Sequence, residues 1–234
     1  MDQKLLRLPR NTKGRDLVVG DIHFKLQELF EGLEALDFNP ERDRLISVGD
    51  LIDRGPGVLQ GLRLLGEPWF YMVQGNHERM LIDAWLRNPH APYSAHGAEW
   101  WLYIDDDSKA MIVRKLQSLP IVIEIDTVNG MVGVLHADVP AQLSWQAFTG
   151  ALDAPRVSET ALWGRERIRR GNHHGVTGVW RVCTGHTRVD TPQRLGNVLA
   201  LDCTGGGAGP LAYYCAQDDT LHYADTRRSP TTKA

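Results

Sequence analysis

Only three cysteines occur in the 234 residues, Cys183, Cys203 and Cys215, and none has metal-type spacing. A sparse, odd-numbered set does not suit a disulfide-stapled secreted scaffold and indicates a reducing cytoplasm. Cys203 and Cys215 lie in apolar runs and read as buried, inert thiols. Long hydrophobic runs are also missing, and Met1–Gly14 is mostly polar and charged, so no membrane span and no signal peptide are expected. No charge of one sign dominates: 26 Lys and Arg stand against 29 Asp and Glu, for a net charge of −3. That balance argues against a nucleic-acid partner and against an acidic solvating tail. Internal repeats and Ser/Gly-rich linkers are absent as well. The reading is one domain over residues 1–225, followed by a disordered tail, "TRRSPTTKA", at 226–234.

What the chain does have is a series of apolar runs that stop in polar, Gly-containing corners. "DLVVGDIH", "RLISVGDLIDRG", "WFYMVQGNHE", "MVGVLHADVP" and "VCTGHTRVD" each predict a short strand feeding a loop. Between the first two, Leu26, Leu29, Phe30, Leu33 and Leu36 fall on one face of a helix. "GVLQGLRLLGE" predicts a second helix, and "HERMLIDAWLRN" a third that stops at Asn88-Pro89. This alternation is the grammar of an α/β domain. Two helices with a turn at 105–108 are expected in the middle, where Trp100 and Trp101 read as packing residues. "VLALDC" and "LAYYC" predict two strands around the glycine-rich turn "TGGGAGP".

The five strand ends carry Asp21 and His23, Asp50, Asn76 and His77, His136, and His186. In α/β sheets, ligands gather outside the carboxyl ends of strands. If these strands are neighbours, the side chains converge. Oxygen and imidazole donors together suit Mn²⁺, Fe or Zn²⁺ better than Ca²⁺. Six donors from this set exceed what one catalytic ion with an open position needs, and fit two ions sharing a carboxylate. Each residue also has a plain alternative. Asp50 could cap a turn, Asn76 could sit in a left-handed turn after Gly75, and His136 and His186 could be satisfied by backbone. The alternatives are weaker for the ordered set than for any one member.

Taken in order, "GDIHF", "GDLIDRG", "GNHE", "LHAD" and "GHT" resemble the motifs of the phosphoprotein phosphatase (PPP) family of metallophosphoesterases. "SVGDLIDRGP" and "LWGRERI" are most similar to its phage and bacterial branch, and the resemblance spans about 17–214. It implies a calcineurin-like α/β fold (α+β in some schemes): a β-sandwich flanked by helices. It implies two divalent ions, Mn²⁺ first, with Fe or Zn²⁺ as alternatives. Asp21, His23 and Asp50 would hold the first, and Asp50 would bridge to the second, completed by Asn76, His136 and His186. His77 would be the general acid, oriented by Asp53, while Arg54 and Arg165 would grip phosphate oxygens. One position departs from the family: Phe24 stands where its first motif has Gly. A ring there is expected to narrow the mouth of the site.

The implied activity is phosphomonoester hydrolysis by a metal-activated water, acting on a phosphoserine or phosphothreonine protein or peptide, with no nucleic-acid or membrane partner. A covalent cysteine mechanism is not expected, because Cys183 has no Cys-x5-Arg cradle. Two alternatives remain: a symmetrical dinucleoside tetraphosphate hydrolase, whose family lacks the aspartate at the position of Asp53, and a non-catalytic phosphoprotein-binding scaffold. Glu78 and Arg79 read as structural, and His173 and His174 as loop residues near the site entrance.

Overall fold

The structure is a computed structural model that describes residues 4–223; the expected tail at 226–234 lies outside the described residues. The first sheet contains β2 (Asp16–Val19), β3 (Arg44–Ser47), β4 (Phe70–Met72), β10 (Ala212–Cys215) and β11 (Thr220–Tyr223). The second contains β1 (Leu5–Leu8), β5 (Val122–Thr127), β6 (Gly130–Leu135), β7 (Arg181–Thr184), β8 (Gln193–Leu195) and β9 (Val198–Ala200). Their orders are β11-β10-β2-β3-β4 and β1-β5-β6-β7-β9-β8.

Strand alternation builds the layers. On β2, Leu17 and Val19 pack outward with α1 (Leu26–Ala35), while Val18 faces the other sheet. On β7, Val182 faces outward and Cys183 inward. The inward set, including Ile46, Ile123, Val134 and Tyr214, forms the core between the sheets. Outside the first sheet lie α1, α2 (Val58–Leu64), α3 (Asn76–Arg87) and α4 (Asp106–Gln117). Outside the second lie α5 (Trp145–Gly150) and α6 (Pro155–Trp163), followed by the single turn α7 (Glu166–Arg169). The result is a sandwich flanked by helices.

The strands predicted at 198–203 and 211–215 are present, but not as a hairpin. β9 joins one sheet and β10 the other, so the glycine-rich segment crosses between sheets. Phe30 is 45% exposed, and the buried stripe of α1 is Leu26, Leu29 and Leu33. The first of the two central helices is replaced by two short 3₁₀ segments, Ala95–Gly97 and Glu99–Tyr103. The turn at 105–108 is a helix start: the Asp105 carboxylate accepts from the Ser108 N–H and caps α4.

β2, β3 and β4 run parallel, as do β6, β7 and β9. Their carboxyl ends meet at one edge of the sandwich, where contacts between side chains and backbone join the sheets. His136 Nδ1 lies 2.9 Å from the Val48 carbonyl oxygen, and the His186 N–H lies 3.1 Å from an Asp21 carboxylate oxygen.

Candidate functional site

At that edge, the six donor residues of the sequence reading come together, all of them buried. His23, Asp50 and His77 form one cluster, and Asp21, Asp50 and His136 a second; in each, the candidate atoms lie within 4.8 Å of one another. Asp50 belongs to both. Its Oδ2 is 3.7 Å from His23 Nε2, and its Oδ1 is 3.4 Å from His136 Nε2. Asn76, the first residue of α3, points its Oδ1 to within 2.8 Å of His136 Nε2 and 2.7 Å of His186 Nδ1.

The backbone decides how the imidazoles present themselves. A carbonyl oxygen only accepts, so Nδ1 of His23 donates to Ile52 (2.9 Å), and Nδ1 of His136 donates to Val48. Each Nε2 is then a lone pair turned into the site. Burial holds the His23 pKa down at about 4, and burial together with His136 and Arg165 holds that of His186 at about 3. Both rings are neutral at pH 7, as metal ligands must be.

These residues fit cations. The His136 lone pair faces the Asn76 oxygen with no hydrogen to share, which is unfavourable unless a positive ion sits between them. Asp21 and Asp202 are buried side by side; burial and the neighbouring carboxylates raise the pKa of both. Among the described residues, neither has a Lys or Arg ion pair. A divalent ion would neutralise that crowding.

Beside the donors lies a histidine–aspartate pair. His77 Nδ1 is 2.6 Å from Asp53 Oδ2, with both residues buried. Burial alone would lower the His77 pKa, but the Asp53 hydrogen bond and the Asp50 and Asp53 charges outweigh it and raise the value. Arg54, exposed at the mouth, reaches His77 Nε2 at 2.9 Å and donates to the Gly205 carbonyl at 2.6 Å. Arg165 stands just before α7, close enough for its charge to act on His186. His173 and His174 are exposed, and neither belongs to the clusters. Several site residues hold left-handed backbones: φ is +46° at His23, +51° at Asp50, +74° at Asp53, +67° at Arg54 and +63° at His186. Such strain collects where surrounding contacts over-determine the geometry.

The expectation for Phe24 is corrected. Its φ of +53° explains why glycine suits this position. Its ring does not narrow the mouth, because it is fully buried in the helix-side core. It fits because Gly61 on α2 has no side chain; a Cβ there would overlap the ring. Phe24→Ala should therefore cost stability, about 3–5 kcal/mol for a buried Phe. Denaturant unfolding measures this; an unchanged midpoint would contradict the packing described.

Three residues outside the predicted set shape the site. The Glu78 carboxylate accepts from the N–H groups of Asp50 (2.9 Å), Leu51 (2.9 Å), Ile52 (3.2 Å) and Gly75 (2.8 Å), pinning the loop that carries Asp50. Asp202 accepts from the N–H groups of Thr204 and Gly205, and Lys25 donates to the carbonyls of Gly207 and Gly209. Together Asp202 and Lys25 shape the glycine-rich segment against which Arg54 rests. The Glu in "GNHE" and the Asp in "LALDC" were visible signals, since each follows or ends an apolar run in a polar corner.

The calcineurin-like phosphoesterase family profile matches residues 15–186. The chain belongs to this family of metallophosphoesterases, whose members use divalent metals. It is 34% identical over 204 residues to serine/threonine-protein phosphatase 2 of Escherichia coli, covering 84% of this chain and 90% of that protein. A symmetrical bis(5'-nucleosyl)-tetraphosphatase of Coxiella burnetii is 33% identical over 163 residues, covering 68% of this chain and 51% of that one. A serine/threonine phosphatase structure from Saccharomyces cerevisiae shares the fold at a TM-score of 0.62 and 14% identity, covering 98% of this chain and 86% of that one. Among the described residues, no helix is long and apolar enough to cross a membrane. All three cysteines are free and buried, and burial pushes the thiol pKa of Cys203 to about 12 and that of Cys215 to about 11.

Proposed function

We propose that this phosphoesterase is a serine/threonine protein phosphatase of the cytoplasm, using two divalent ions, Mn²⁺ first. The observation that carries the reading is the buried His77–Asp53 pair. A serine or threonine alkoxide leaves poorly and needs a proton, whereas a nucleoside polyphosphate leaves well without one. An acid built this firmly favours the phosphomonoester of an alcohol. A cavity of about 1120 Å³ beside Arg54 and Gly206, bordered by Glu28, Glu31 and Gln60, offers room for a polypeptide next to the reacting centre.

Asp21, His23, Asp50, Asn76, His136 and His186 would hold the ions. When bound, they supply Lewis-acid neutralisation of the phosphate and acidification of water. The chain's own groups do the rest. Arg54 turns its planar fork from His77 to the phosphate oxygens, and Arg165 grips them from the second sheet's side. His77 holds a proton at Nε2 and gives it to the leaving oxygen. Asp53 keeps the ring oriented through Nδ1 and steadies its charge. Burial of the donors limits competing water contacts.

The second reading is hydrolysis of symmetrical dinucleoside tetraphosphates, favoured by the Coxiella burnetii relative. The deciding experiment strips the protein of metal, adds Mn²⁺, and compares a phosphoserine peptide with diadenosine tetraphosphate. Peptide turnover is expected to vanish on stripping, return with Mn²⁺ and exceed dinucleotide turnover. Preference for the dinucleotide would replace the first reading with the second. Metal-independent turnover would remove both.

A further inference from the structure

Asp53 is fully buried, and each of its carboxylate oxygens has one side-chain partner. Oδ2 meets His77 Nδ1, and Oδ1 accepts the indole N–H of Trp100 at 2.8 Å. We propose that Trp100 is a positioning residue for the leaving-group acid, holding Asp53 so that Asp53 can hold His77. The proposal rests on the reading of His77 as that acid.

The geometry supports more than incidental satisfaction of an indole. A carboxylate held through one oxygen can swing about its last torsion; one held through both oxygens by groups on different elements cannot. The segment that carries Trp100 grips the Asp53 loop a second time: the Arg54 N–H donates to the Gly97 carbonyl at 3.0 Å. Trp100 is itself braced. The Phe24 ring meets it edge-on, at 5.3 Å between centroids and 88° between planes, and Trp101 meets it at 5.4 Å and 79°. Gly61 leaves the space that Phe24 fills. The departure from glycine at position 24 therefore has a use: it supplies the wall behind Trp100. The line of contact runs Gly61, Phe24, Trp100, Asp53, His77, from helix-side core to acid.

The test is Trp100→Phe, which keeps an aromatic ring against Phe24 and removes the N–H. Trp85→Phe is the matched control, since Trp85 makes the same kind of ring contact, with Trp101, but has no ring contact with Trp100 and no bond to Asp53. Turnover of a phosphoserine peptide and of p-nitrophenyl phosphate is measured with Mn²⁺, alongside bound metal. Trp100→Phe should lower peptide turnover about 10–100-fold, the range for residues that orient a working group. It should lower nitrophenyl turnover much less, because nitrophenolate leaves without a proton. Trp85→Phe should not separate the two substrates. The double variant with Asp53→Asn should be no slower on peptide than Asp53→Asn alone, because both changes break one chain of contacts. Equal losses on both substrates, or losses that multiply in the double variant, would overturn the inference. If His77→Asn separates the substrates and Trp100→Phe does not, the inference fails and the acid reading stands. If His77→Asn does not separate them, both fall.

Discussion

Asp50→Asn should lower phosphopeptide turnover by about 10³-fold or more, and by more than His23→Ala. The expected scale is the several kcal/mol that metal catalysis supplies, at about 1.4 kcal/mol for each factor of ten. The difference between the two variants follows from where their atoms sit. Asp50 turns one oxygen toward His23 and the other toward His136, so it faces both halves of the donor set. His23 faces one. Asparagine keeps an oxygen that can accept the His77 N–H, at 3.0 Å from Asp50 Oδ1 in the native protein, so the local fold has a substitute. What it lacks is the charge that two closely spaced cations need between them. The variant should fold with that substitute, and its defect should appear as lost metal. Elemental analysis and turnover on the same samples test this. Two ions per chain with near-normal rates would remove the bridging assignment.

His77→Asn should divide substrates by leaving group. Peptide turnover should drop by roughly 10²–10⁴-fold, the usual contribution of a positioned acid. Nitrophenyl phosphate should lose far less. Metal content should hold, because the six proposed ligands are untouched. Asp53→Asn should repeat the pattern more weakly, since it removes only the orientation and charge support of the ring. Equal losses on both substrates with two ions bound would mean that His77 steadies the phosphoryl group instead.

The site was more legible in the sequence than the sheets that build it. Asp21, His23, Asp50, Asn76, His136 and His186 all follow short apolar runs, and a polar donor directly after such a run is placed by the strand. Which strands pair is a long-range matter. The glycine-rich run between β9 and β10 looks like a hairpin turn from its composition, yet it carries the chain from one sheet to the other. β1, β8 and β11 are only three or four residues long and hold their places by pairing more than by pattern. Phe24 was assigned to the mouth because its neighbour His23 lines the site. A left-handed backbone sends its ring the other way, and the space that receives it exists only because residue 61 is a glycine. Trp100 was read as packing, which it does, but the polar end of its ring meets Asp53 from 47 residues away. No local spacing encodes that contact.

His186 donates its backbone N–H to Asp21, across 165 residues of chain. During synthesis, the first proposed ligands leave the ribosome long before the last, and the partly made chain carries carboxylates and imidazoles with no closed site to share. Chains emerge at about 5–20 residues per second, so this interval is on the order of ten to thirty seconds. Throughout it, the nascent protein lacks part of the donor set and cannot form the complete pocket. Hydrolytic competence thus belongs to the finished sandwich, because the full donor set does not exist until the chain has passed His186.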